Sequence, residues 1–171
     1  MAEILNDLKL AALNISGTSN ASPQPTHSDS SVLISSNVSL KGVDSGKVFF
    51  VQDNSGGPIT VTLPGTANVS VGARYTLVQE GFNASGEDSL IVRTLGSEER
   101  FSTGSHALNN SGLVKAMGGE NVLTATGAAT NCNHSVGSVV DCQVVAPNRW
   151  LVKVDAVVTG TGSDAYAFSS L

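Results

Sequence analysis

Residues 44–64 read DSGKVFFVQDNSGGPITVTLP. The stretch holds a glycine-lysine pair, an apolar run, a polar glycine-bearing turn, and a short alternating run that stops at a proline. It admits two readings. Gly46 and Lys47 could open a phosphate-binding loop, or the stretch could be two strands of an all-β protein. A P-loop needs G-x-x-x-x-G-K-S/T between a strand and a helix, so that backbone N–H groups and a helix N-terminus meet the phosphates. Here Gly42 and Gly46 are one position too close, and Val48 stands where a hydroxyl should hold magnesium. The residues that follow read as a strand. In PITVTLP, Ile59, Val61 and Leu63 alternate with Thr60 and Thr62, which is the period of a strand with one buried face. Pro64 ends it, because proline cannot donate to a ladder. The segment therefore predicts a hairpin or a neighbouring strand pair. Adjacent phenylalanines on a strand point to opposite faces, so one of Phe49 and Phe50 has to lie outside the local core.

The same pattern continues in both directions. VLISSNVSLK (32–41), RYTLVQE (74–80) and SLIVRTL (89–95) read as strands. LVKAM (113–117) and NVLTA (121–125) read as weak strands about a Gly-Gly turn, and a short strand is expected near Phe101. SVGSVVDCQVVA (135–146) and RWLVKVDAVVTG (149–160) are the strongest pair, joined by an APN turn. About nine or ten short strands at roughly 8–12-residue intervals predict an all-β fold, a small β-sandwich or barrel-like domain. Nothing shows the strand–helix alternation of an α/β enzyme.

Upstream of residue 32 the chain changes character. Residues 14–31 are rich in Ser, Asn, Thr and Pro and have no period, so they read as a linker. Residues 4–13, ILNDLKLAAL, place Ile4, Leu5, Leu8, Leu10 and Leu13 on an apolar stripe at helical spacing, too short to be stable without a partner surface. The organisation expected is an N-terminal arm and linker over 1–31 and a β-sandwich or barrel domain over 32–171.

Composition narrows the function. Only 13% of the 171 residues are charged, about half the usual share, so Ser, Thr, Asn and Gly must cover much of the surface. That suits secreted, structural or assembled proteins. The net charge of −5 and the lack of a Lys/Arg cluster argue against a nucleic-acid partner. No stretch reaches the 18 or so apolar residues of a membrane-spanning helix. The N-terminal stretch has acidic residues and no basic leader, which predicts folding in a cytoplasm. In that compartment Cys132 and Cys142 are expected as free thiols, although their spacing would also suit a disulfide across a hairpin.

Catalytic constellations are thin. There is no G-x-S-x-G around a serine. Cys132 and His134 are two residues apart in an expected loop, poor geometry for a thiol nucleophile even with Asp141 nearby. Glu87–Asp88 and Glu98–Glu99 are adjacent pairs, which a strand would point to opposite faces. No spacing matches zinc or calcium ligation. The expectation is no enzyme, no catalytic residue, no metal and no cofactor. A carbohydrate-binding module would need two or more exposed aromatics on one face, and Trp150 is the single tryptophan.

The stretch NVSLKGVDSGKVFFVQDNSGGPITVTLP (37–64), followed by VGARYTLVQEG (71–81) and SLIVRT (89–94), resembles the capsid decoration or cement proteins of tailed bacteriophages, and also some fibre modules. RWLVKV (149–154) resembles the closing strand of such modules. Both ends of the sequence and residues 96–130 depart from the pattern. The resemblance implies an all-β domain, often a homotrimer, on the outer surface of a phage head, where it binds the major capsid protein and stabilises the capsid lattice without catalysis. The expected location is the virion, after folding in the host cytoplasm. The alternatives are a tail-fibre, head-fibre or baseplate module, and a carbohydrate-binding module. On this reading Ile4, Leu5, Leu8, Leu10 and Leu13 of the arm, with Phe50, Tyr75 and Trp150, are the candidate interface residues, since aromatics favour subunit contacts.

Overall fold

A computed structural model describes residues 31–52, 57–81, 89–109, 112–126, 133–134, 136–159 and 165–171. The chain divides into two units, Met1–Ser31 and Val32–Leu171. Residues 1–30, with the Ile4–Leu13 arm, lie outside the described residues, as does Cys132.

The fold is all-β and sandwich-like, with two short 3-10 turns at Gly42–Asp44 and Thr66–Asn68. In chain order the strands are β1 (Ser31–Ile34), β2 (Val38–Ser39), β3 (Val48–Gln52), β4 (Ile59–Thr62), β5 (Arg74–Gly81), β6 (Ser89–Arg93), β7 (Arg100–Phe101), β8 (His106–Asn109), β9 (Gly112–Lys115), β10 (Val122–Thr126), β11 (Asn133–His134), β12 (Val139–Ala146), β13 (Arg149–Asp155), β14 (Val158–Thr159) and β15 (Tyr166–Ser169). One sheet has the order β1-β3-β5-β12-β13-β8-β9, with β7 also on β13. The facing sheet runs β15-β10-β6-β4-β2, and β11 pairs with β14 separately.

The first six strands alternate between the sheets. β2, β4 and β6 lie parallel in one, and β3 lies parallel to β5 in the other. Consequently β3 and β4, the two strands of the opening stretch, are not a hairpin. They sit in opposite sheets and pack through their apolar faces. Likewise β9 and β10 lie in different sheets rather than about a shared Gly-Gly turn. The predicted final pair is a true hairpin: β12 and β13 are antiparallel with their turn at Pro147–Asn148.

Side-chain rows across the ladders build the core. In the five-stranded sheet, Ile59, Leu90, Ala125 and Tyr166 form one inward row, and Val61, Val92, Leu123 and Phe168 the next. Opposite them run Phe49, Leu77, Val140, Val154 and Ala107, then Tyr75, Cys142 and Val152. Two-residue alternation puts all of these on one side, and except for the half-buried Phe168 they are buried. Phe49 points inward, and Phe50 is half-buried on the outer face.

One edge of the sandwich is closed by a side chain. The buried carboxamide of Asn109, at the end of β8, donates to the Tyr166 carbonyl at 2.9 Å and accepts from the Tyr166 N–H at 2.8 Å. It thus stands in for a strand partner and ties the eight-stranded sheet to β15 of the other. A second buried amide repairs the irregularity between β3 and β5. There Gln79 Nε2 donates to the carbonyls of Val51 and Gly81, where the register shifts.

Candidate interaction surface

Because β2, β4 and β6 run parallel, the connections that leave them emerge at one end of the sandwich. The β9–β10 connection and the β12–β13 turn reach the same end. Hydrogen bonds knit these loops together: Gly72 N–H to the Val144 carbonyl, Gly46 N–H to Arg74, Thr94 N–H to Asn121, Phe101 N–H to Glu120 and Arg100 N–H to Asn148, all 2.7–3.0 Å. Glu120 Oε2 accepts from the N–H groups of Met117 and Gly119, and Asn121 Oδ1 accepts from Leu171 N–H.

A polar cluster sits at the centre of this pole. Glu99 is buried, and its Oε1 accepts from Thr66 N–H. The Thr66 hydroxyl donates to Asn148 Oδ1 at 3.2 Å and accepts from Asn148 N–H at 3.0 Å. Asn148 has φ 57, a left-handed conformation that Asn tolerates better than most residues. The cluster locks the β4–β5 loop to the β12–β13 turn, so the pole is held from within.

On this framework stand Val43, Val71, Leu95, Met117, Val145 and Leu171, six of the twelve exposed large hydrophobics among the described residues. A recess of about 300 Å³ between the loops is lined mainly by Leu40, Leu63, Pro64 and Leu95, with Lys41 and Asn68 at its rim. Apolar side chains gathered on held loops form a surface that can dock a partner without first paying to order itself.

The residues singled out in the sequence are distributed differently. Tyr75 and Trp150 are both fully buried, their rings 5.8 Å apart; they are core residues of the domain rather than exposed contacts. Both fall on the inward parity of long central strands, where large rings fill the space between sheets. The Tyr75 hydroxyl still finds a partner, donating to the Lys41 carbonyl at 3.2 Å. Burial, and then the negative charge of Asp44, push its pKa above the ordinary value. Phe101 and Tyr166 are buried as well, so the described tryptophan, tyrosines and Phe101 offer no stacking platform for a sugar ring. Phe50 alone of the aromatic candidates faces outward.

The lysine of the opening stretch is accounted for locally. Lys47 Nζ lies 2.8 Å from Asp44 Oδ1, and this hydrogen bond, ahead of burial, keeps the Asp44 carboxyl below its usual value. Gly46 has φ 87 and makes the turn into β3. The thiol of Cys142 is free and buried, and burial pushes its pKa far up, with the Asp141 charge adding to it; this is an inert core thiol. Asp141 points the other way, accepting from Arg74 at 2.6 Å and Thr76 at 2.7 Å.

The sequence does not single out the pole residues. Val43 and Val71 stand in polar connections, while Leu95, Met117 and Val145 sit at the ends of runs that read as strands. A search for large aliphatic residues at strand ends and in glycine- and serine-rich connections would have found them.

No family model, no curated protein and no solved structure matches this chain.

Proposed function

We propose that the protein is a non-catalytic virion component that binds the outer surface of a bacteriophage head through contacts with the major capsid protein and stabilises the capsid lattice. The observation that carries the reading is the pole: six exposed aliphatic side chains on loops and strand ends fastened to one another by hydrogen bonds. The resemblance of residues 37–94 to decoration proteins, and the sparse charge, support the same reading. The mechanism is mass action. A subunit that binds the assembled lattice and not the disrupted one shifts the equilibrium toward the intact shell.

Electron microscopy of particles carrying an epitope-labelled copy of the full chain tests this. Label spread over the faces of the head is the expected result. Label confined to the tail or the vertices overturns it and favours the second reading, a fibre or baseplate module. That second reading draws on the winding of β1–β6, in which strands alternate between two sheets and pair in parallel as they do in β-solenoids.

A further inference from the structure

The outer face of the eight-stranded sheet can be read from its register. Phe50 on β3 stands beside Val78 on β5, and Val78 beside Val139 on β12. Val139 stands beside Asp155 on β13. Beyond β13, Leu108 on β8 is paired with Leu113 on β9, and they are 54% and 52% exposed. One step along the strands, Val48, Thr76, Asp141, Lys153, His106 and Lys115 form a continuous row across the same six strands. The face thus has an apolar group on each flank and an acid beside a base at its centre.

We infer that this face packs on the same face of a second copy, about a two-fold axis that runs parallel to the strands between β12 and β13. Such an axis lays β12 on the partner's β13, β5 on its β8 and β3 on its β9, with no shift along the strands. Asp141 then meets the partner's Lys153, and Lys153 meets the partner's Asp141. Within the described residues of its own chain Lys153 makes no ion pair; its charge acts on the neighbouring Asp141, which Arg74 and Thr76 also hold, so the contact across the axis adds a further cation to that carboxylate. Val78 meets the partner's Leu108, and Phe50 meets the partner's Leu113. The apolar group on one flank covers the group on the other, which is the self-complementarity that an isologous contact requires. Val139 opposite the partner's Asp155 and Val48 opposite the partner's Lys115 are mismatches, and all four residues are at strand ends, where the charged groups can turn to solvent. Six strands span roughly 25 Å, wide enough to approach the ~800 Å² per partner of a standard interface.

The pairing rests on the sheet register and not on the head-binding reading, and its two-fold order differs from the trimer that the resemblance implies. Light scattering of the full chain tests it. The expected mass is that of two 17.4 kDa chains. Phe50→Lys and Leu113→Glu should each raise the dissociation constant at least about tenfold while thermal melting stays close to that of the parent. Mixing the two variants should restore a heterodimer, because the introduced ammonium of one chain then faces the introduced carboxylate of the other. A one-chain or three-chain mass overturns the proposal, as does a two-chain mass that both substitutions leave intact. A mixture that does not recover overturns the register. If Phe50→Lys unfolds the domain, Phe50→Gln replaces it, with a smaller rise in dissociation constant expected and none overturning the contact.

Discussion

The two halves of the sandwich are built by different rules. From β1 to β6 the chain crosses between the sheets at every step, and β2 with β4, β3 with β5 and β4 with β6 pair in parallel, each with a strand two places away. From β8 onward it turns back on itself: β8 pairs with β9 and β12 with β13, both antiparallel. The hairpin half makes these hydrogen bonds to near neighbours in sequence, while β13 also pairs in parallel with β7 and β8, and β10 pairs with β15, over longer separations. The wound half has to bring together strands separated by a whole strand of the other sheet, so its pairing depends on the core between the sheets. Antiparallel contacts of β12 with β5 and of β10 with β6 join the two.

If that junction makes one cooperative core, damage to either half should unfold both. Trp150→Ala, in the hairpin half, is expected to cost about 3–5 kcal/mol, since the indole is fully buried and packs on Tyr75 of the wound half. Leu63→Ala, in the wound half, should cost about 2–5 kcal/mol. Denaturant unfolding followed by circular dichroism in both variants, with tryptophan fluorescence for Leu63→Ala and tyrosine fluorescence for Trp150→Ala, which has no tryptophan, should give one coincident transition in each. Separate transitions would show the halves to be independent.

The next effect concerns the edge where the sheets are tied. Asn109→Ala removes both hydrogen bonds to Tyr166 and should cost about 1–3 kcal/mol. Hydrogen exchange should accelerate at Tyr166 well before it does at β12. A smaller cost is expected at the entry to β3. Gly46 has φ 87, and Gly46→Ala forces a Cβ into the left-handed region at about 1–2 kcal/mol.

The smallest effect is on the outer face, across the β5–β12 junction. Burial opposes ionisation of Asp141, but the hydrogen bonds from Arg74 and Thr76 outweigh it and hold the carboxyl below 3.8. A depressed folded value means the contribution is present above pH 3.8 and is lost as the pH falls through the lower folded value. Arg74 is largely exposed, so at pH 7 Asp141→Asn should cost about 1 kcal/mol or less. The gap from the parent should close as a melting series is taken into acid.

Much of this fold is legible residue by residue. Ile59, Val61 and Leu63 announce a buried face, and the APN turn between two alternating runs announces the β12–β13 hairpin. The outward Phe50 follows from its adjacency to Phe49. Other features are not legible. The turn after β3 looks like a hairpin turn, yet β4 enters the opposite sheet; alternation says which side chains share a face and not whether the next strand is beside it or across from it. Tyr75 and Trp150 look like contact residues by type, and only their parity on central strands puts them inside. The pole is invisible because its aliphatic residues are scattered over four loops, the end of β12 and the residues after β15, from Val43 to Leu171.

By itself, the sequence determined the all-β class, the buried alternating face of Ile59, Val61 and Leu63 and the absence of a phosphate-loop pattern at Gly46–Lys47, because these depend on spacing within a few residues. The tertiary structure alone decided that β3 and β4 lie in opposite sheets, that Asn109 closes an edge, and that six scattered aliphatic residues share one pole. Those outcomes depend on which distant strands pair, and pairing is set by the free energy of the assembled core rather than by any local segment.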